Sequence, residues 1–225
     1  MTKMSISENL HAIKKEIGNN VNLIAVSKTK PIEDIDKAYN LGIRDFGENK
    51  VQELVEKIDK FQKEDIRWHL IGHLQRNKVK YIVGKVYLIH SLDSIRLLKE
   101  IERKYKDEDK VAKVLIQINI GEDENKYGIK VEELEDMIKA CEECSNVKIE
   151  GLMTILPMED SEICKRYFKQ MKKIFDDLKN RSFKNIEMKY LSMGMSGDYK
   201  IAIEEGSNMI RVGQGIFGKR DYNNL

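Results

Sequence analysis

The stretch Asn22 to Pro31, "NLIAVSKTKP", poses the fold question: a continuous apolar run from Leu23 to Val26 stops at Ser27 and Lys28, and Pro31 opens a segment of helical period. A strand apolar throughout suits a parallel sheet covered by helices on its outer face, not a half-solvated antiparallel one. The same unit recurs along the chain. "DFGE" is followed by Val51 to Lys60, "RWHLIG" by a stretch through Lys78 to Val83, "VYLIHSL" by Ser94 to Tyr105, and "KVLIQINI" by Val131 to Cys141. "KIEGLMTIL" precedes Ser161 to Leu178, "MKYLSMG" leads into Asp198 to Glu205, and "NMIRVGQGIFG" closes the series as the eighth unit. This alternation predicts an α/β chain folded as a single closed (β/α)8 TIM barrel. An open doubly wound sheet is the competitor, but its G-x-G-x-x-G turn after the first strand is absent. The helical stretch from Ser5 to Ile17 lies outside the count and is expected to pack on the barrel. With only Pro31 and Pro157 as prolines and no polar linker, residues 1–225 read as one domain.

Charge and composition narrow the function. Forty basic residues against 38 acidic ones give a formal charge of +2, which implies no nucleic-acid footprint. The N-terminus lacks an apolar signal core, and no apolar run approaches the roughly 18 to 20 residues of a membrane span, so a cytoplasmic protein is expected. Cys141, Cys144 and Cys164 do not make a disulfide framework, and "CEEC" in a charged helix reads as incidental. His11, His69, His73 and His90 are scattered without zinc-ligand spacing. The basic stretch around Lys78, Lys80 and Lys85 is read equally as a partner surface and as a solvated helix rim.

In a barrel, the C-terminal strand ends converge on the active-site mouth. Lys28 stands at such an end. Its plain reading is a strand that has reached water; its functional reading is a partly buried amine, driven toward the neutral form that condenses with a carbonyl. "LSMGMSGDYKIAIEEG" ends a strand at Gly194, offers Ser196 and Gly197, and starts a helix near Asp198, while "RVGQGIFG" puts Gly213 and Gly215 after the last strand. Either loop alone could be a tight turn, but together they occupy the two positions where barrels commonly hold phosphate. Arg211 interrupts an apolar strand and therefore needs a buried acceptor. A Schiff-base lysine, a phosphate cradle and an inward arginine together describe pyridoxal 5'-phosphate (PLP): aldehyde to Lys28, phosphate to the last loops, ring nitrogen toward Arg211.

The motifs "AVSKTKP", "FGENKVQE", "WHLIGHLQRNK", "LIQINI", "EGLMTI", "LSMGMSGD" and "IRVGQGIFG" resemble, in order, those of the YggS/PROSC family, the PLP homeostasis proteins. The match runs from about Asn22 to Arg220. It implies a fold-type III PLP barrel, similar to the N-terminal domain of alanine racemase, with the cofactor held as an internal aldimine on Lys28 and with Lys30 beyond the strand end. It further implies Asn49 and Met153 near the cofactor, and Gly194, Ser196, Gly213 and Gln214 around the phosphate. Where many relatives carry threonine or serine, this chain has Gln214, so a hydroxyl donor is missing there while the backbone N–H remains. Met193 and Met195 are candidates to cover the cofactor.

Three functions follow from these residues. An arginine beside the ring nitrogen disfavours its protonation and weakens the ring as an electron sink. The chain also ends at Leu225 without the β-rich second domain of alanine racemases, so one lysine base faces no opposite acid. The resemblance therefore implies a monomeric carrier of PLP without robust turnover, acting in vitamin B6 and amino-acid homeostasis, with apo PLP-dependent enzymes as candidate recipients. The alternatives are a PLP-dependent amino-acid racemase using Lys28 and a second base, and a cofactor-free Schiff-base enzyme of the aldolase kind.

Overall fold

The computed structural model describes residues 4–157 and 160–218. Eight parallel strands close into a barrel in sequence order: β1 (Asn22–Val26), β2 (Asp45–Glu48), β3 (Arg67–Leu70), β4 (Leu88–Leu92), β5 (Ala112–Gln117), β6 (Val147–Met153), β7 (Ile186–Met195) and β8 (Met209–Val212). Closure is made by β1 against β8, with Asn22 opposite Met209 and Ala25 opposite Val212. The expected barrel is the observed one.

Two sets of side chains explain why the strands read as uninterrupted apolar runs. Ala25, Phe46, Leu70, Ile89 and Leu191 face outward into the large core between sheet and helices, whereas Ile24, Leu88, Leu115, Met153 and Met209 form a separate interior cluster. Both faces are thus buried. Alternation then fixes direction: Ile24 points inward, so Val26 and Lys28 share its side as the chain leaves the barrel.

The connecting helices are α2 (Ile32–Asn40), α3 (Val51–Lys60), α4 (Ile95–Asp107), α5 (Leu134–Glu142), α6 (Ser161–Lys179) and α7 (Tyr199–Glu204), and all but α5 begin and end within two residues of expectation. The segment through Lys78 to Val83 departs, forming a 3-10 helix over Arg76–Tyr81. Its β-branched Val79, Ile82 and Val83 lie close ahead of Gly84, which takes φ 70° and ends the segment before a longer helix can form. The expected helix from Val131 likewise starts as a 3-10 turn, Val131–Glu133, before α5. After β8 comes a single turn, α8 (Gln214–Phe217).

The N-terminal helix α1 (Ile6–Ile17) opens with a capping box, in which Ser5 and Glu8 satisfy each other's backbone N–H groups. It packs against α2 and α8. Asn9 Nδ2 donates to Ile216 O at 2.9 Å, and Glu16 accepts from Tyr199 and Lys200 of α7. This helix therefore braces the last two loops of the barrel mouth. Among the described residues no helix is long and apolar enough to cross a membrane, no cluster of metal-ligating side chains occurs, and none of the three cysteines forms a disulfide. Burial raises the Cys141 and Cys144 thiols, the latter to about 11, which removes thiolate reactivity from "CEEC".

Candidate functional site

A cavity of about 850 Å³ opens at the C-terminal ends of the strands, a volume suited to a cofactor-sized ligand. Lys28, Asn49, Ser196, Arg211, Gly213 and Gln214 all line it. Met153 and Gly194 stand outside this lining: Met153 is fully buried in the interior cluster, and Gly194 lies behind the mouth. At Gly194, φ is 96° and an added Cβ would meet Ala202 Cβ at 2.7 Å, so the glycine lets α7 pack close to β7.

The loop carrying Lys28 is clamped from behind. Ser27 faces outward, its hydroxyl donating to Glu48 Oε1 at 2.6 Å, and Lys57 Nζ of α3 donates to Ser27 O, Glu48 Oε1 and Glu53 Oε1 at 2.7 to 2.8 Å. Thr29, at φ 64°, donates its N–H to Glu53 Oε1 at 2.6 Å. The left-handed turn after Lys28 is therefore held by side chains of β2 and α3. Lys30 is drawn away from the cavity, its Nζ donating to Phe217 O at 3.2 Å. A second cavity lysine, Lys126, comes from the loop after β5, beside Tyr127, whose ring stacks on His73 at 3.9 Å.

Burial pushes Glu48 up to about 7 against the opposing donors Lys57 and Ser27, and its Oε2 has no hydrogen-bond partner among the described residues. The native state thus keeps a proton that the unfolded chain releases, so stability falls as pH rises between about 4.5 and about 7. The loss amounts to about 3 kcal/mol at most. Glu48→Gln should flatten this dependence, checked by urea denaturation at the two ends of that interval; an unchanged slope would assign the titration elsewhere.

The last two loops meet at Ser196. Its Oγ accepts from Gly213 N at 3.3 Å and Gly215 N at 3.2 Å, which leaves its hydroxyl hydrogen available to donate to an acceptor in the cavity. An added Cβ at Gly213 would crowd Val26 O at 3.2 Å, so this backbone turn stays close to β1. The helix start at Asp198 behaves differently from expectation. Asp198 turns its carboxylate back to accept from Met195 N at 2.6 Å, and burial raises its pKa against that N–H and Arg211. The donor left available to the cavity here is therefore the Ser196 hydroxyl, held by the turn after β8, with α7 contributing little.

Arg211 is buried, and the buried acceptors that the sequence says it needs are supplied at least in part by the protein itself. Nη1 donates to Ser192 Oγ at 2.6 Å and Nη2 to Thr154 O at 2.8 Å. Burial lowers its pKa to about 10, opposed by Asp198, and it stays charged near neutrality. Gln214 is exposed, consistent with a backbone contribution there. Sequence reading missed the clamp of Glu48, Glu53 and Lys57, and also the joined His69 and His90. Its available signal was a charged or imidazole side chain inside a strand or on a helix face otherwise written as core.

The donor set fits PLP. A lysine amine at a strand end, a second lysine from the loop after β5, a hydroxyl held by two backbone N–H groups, and a buried guanidinium line a single cavity. The family model described as alanine racemase, N-terminal domain, matches residues 3–221. A protein of Aquifex aeolicus named pyridoxal phosphate homeostasis protein is 43% identical over 205 residues, covering 91% of this chain and 89% of that one. PipY of Synechococcus elongatus PCC7942, solved without PLP and with PLP bound, superposes with TM-scores of 0.90 and 0.87 at 34% and 33% identity, covering 95% of this chain and all of that one. Alanine racemase of Clostridium difficile shares the fold at TM-score 0.76 and 17% identity, this chain covering 57% of its length. The chain belongs to the alanine racemase N-terminal domain family and, within it, groups with the pyridoxal phosphate homeostasis proteins.

Proposed function

We propose that this chain is a single-domain PLP-binding protein of the cytoplasm that holds the cofactor covalently through Lys28 and serves PLP and amino-acid homeostasis without robust turnover. The observation that carries the reading is the convergence of Lys28, Ser196 and Arg211 on one cavity at the strand ends. When bound, PLP supplies an aldehyde and an electron-withdrawing ring. The protein's own part would be to present the Lys28 amine at a clamped turn, to donate to the phosphate from the Ser196 hydroxyl, which the Gly213 and Gly215 N–H groups hold in place, and to offer Arg211 to the ring nitrogen. Asn49 would lie beside the ring and the Gln214 backbone N–H would add to the phosphate donors, while Met153 and Gly194 act from behind as packing. An arginine in that role keeps the ring nitrogen unprotonated, which favours holding the cofactor over carbanion chemistry. The names of the homologues and the PLP-bound PipY support this reading over the racemase one.

The test is an absorbance spectrum of the purified protein before and after borohydride reduction, followed by peptide mapping of the label. Label on the Lys28 peptide is the expected result; a colourless protein without bound PLP would overturn the reading. Incubation with single enantiomers of amino acids should leave optical activity essentially intact, and its rapid loss would make the protein a racemase.

Ser196→Ala should weaken PLP binding by roughly tenfold or more, because a charge-assisted phosphate hydrogen bond contributes about 1.5 to 3 kcal/mol. Pyridoxal, lacking the phosphate, should bind the variant and the native protein alike. Equal losses for both ligands would remove Ser196 from the phosphate site.

A further inference from the structure

The barrel interior holds polar groups for which PLP binding has no use. His69 and His90 are fully buried in β3 and β4, where such barrels are normally filled by branched apolar side chains. They are joined end to end. His69 Nε2 lies 2.9 Å from Asp45 Oδ1, His69 Nδ1 lies 3.0 Å from His90 Nε2, and His90 Nδ1 lies 3.1 Å from Ser192 Oγ. Ser192 Oγ accepts from Arg211 Nη1 at 2.6 Å. A continuous chain thus runs from a carboxylate at the start of β2 to the guanidinium lining the mouth.

The hydrogens along it have one consistent order. Burial would raise Asp45, but hydrogen bonds from Arg67 and His69 outweigh it and bring the carboxyl to about 2, so Asp45 can only accept. His69 Nε2 must then carry the hydrogen. Burial disfavours the charged form of both imidazoles, leaving each with a single N–H. His69 Nδ1 therefore accepts, His90 Nε2 donates to it, His90 Nδ1 accepts, and the Ser192 hydroxyl donates there while its oxygen serves Arg211. Reversal would aim a His69 lone pair at a carboxylate and bring an imidazole N–H and an arginine N–H together on Ser192 Oγ. Bonds aligned in this way polarise one another in a low-dielectric interior.

We propose that Asp45, His69, His90 and Ser192 form a one-way hydrogen-bond relay that positions the Arg211 guanidinium and couples a carboxylate at the floor of the barrel to the cofactor site at its mouth. Only the last clause rests on the PLP reading. These four are positioning residues. The other groups facing them are Arg67, which donates to Asp45 at 2.7 Å, the Tyr87 ring 5.5 Å from His69, and Asp198 acting on Arg211 from the mouth.

With four histidines in the chain, nitrogen-15 NMR of the histidine-labelled protein without added cofactor reads the relay directly. In the native protein both His69 and His90 should carry their hydrogen on Nε2; a hydrogen on His90 Nδ1 overturns the proposal and needs no variant. Asp45→Asn replaces an obligate acceptor by a group that also donates. The His90 tautomer, which Asp45 does not touch, should then shift at least in part to Nδ1–H, whereas an unchanged His90 signal would break the coupling. The third readout is the ring-nitrogen shift of nitrogen-15 PLP bound to each protein, expected to move in Asp45→Asn with affinity changed less than about threefold, well under one hydrogen bond's worth. A shift identical to the native one removes the coupling to the cofactor. Failure of PLP to bind the native protein defeats the PLP reading and leaves the tautomer result standing.

Discussion

Lys28→Ala is expected to abolish any borohydride-trapped adduct and to leave PLP, where retained, bound by non-covalent contacts alone. The expectation rests on strand alternation: Ile24, Val26 and Lys28 share the inward side, and the Ser27 carbonyl and Thr29 N–H on either side are tied to Lys57 and Glu53. The amine is thus delivered to the cavity by backbone that cannot easily swing. Two other lysines could mislead the experiment. Lys30 is occupied with the Phe217 carbonyl on the outer side, whereas Lys126 lines the cavity from the loop after β5. Lys126 is therefore the first suspect if label persists. Reduction and peptide mapping of Lys28→Ala, alone and combined with Lys126→Ala, separate the cases. Full labelling of the single variant that disappears in the double one would transfer the attachment to Lys126.

Why Lys28 was legible in the sequence, while much of its surroundings was not, follows from how each signal is encoded. A charge at the end of an apolar run, a glycine pair after a strand and an arginine inside one are each local anomalies, visible without knowing what lies opposite. The barrel itself was legible for the same reason, since each strand-helix unit announces its own period. Lys57 shows the limit. It sits on a helix whose charges other than Glu53 are solvated, and only the approach of α3 to the end of β1 buries it against Glu48. The histidines are a sharper case. His69 and His90 are 21 residues apart in sequence, and Ser192 lies a further 102 away. Their contact depends on register, with Gly47 opposite His69 and His69 opposite Leu88, which no property of the single strands encodes. Scattered spacing told against a zinc-ligand pattern but could not tell that two of the histidines meet inside the barrel.

Arg211→Glu is the substitution with the largest expected effect on the fold. With the ring nitrogen as the only acceptor considered, the substitution would be expected to supply a carboxylate able to stabilise a protonated ring. The structure turns that expectation around, because the guanidinium already donates to two buried acceptors, Ser192 Oγ and Thr154 O. A carboxylate at this position would face the Thr154 carbonyl with no hydrogen to share, close to Asp198, whose own ionised form burial already disfavours. Losing the donor orphans a buried carbonyl, and the new charge is desolvated without a partner. Each effect costs a few kcal/mol, so destabilisation of about 3 to 5 kcal/mol is expected, together with loss of PLP. Urea denaturation measures the first and cofactor stoichiometry the second. Arg211→Lys is the folded comparator, keeping a charge and donors for Ser192 and Thr154 but lacking the planar fork that reaches past them. It should retain most of the stability and PLP while moving the ring-nitrogen shift. If Arg211→Glu unfolds within about 1 kcal/mol of the native protein, the size of one ordinary hydrogen bond, the two acceptors do not depend on the guanidinium. If the ring-nitrogen shift in Arg211→Lys is identical to the native one, Arg211 does not face the pyridine, and its buried charge serves the barrel interior alone.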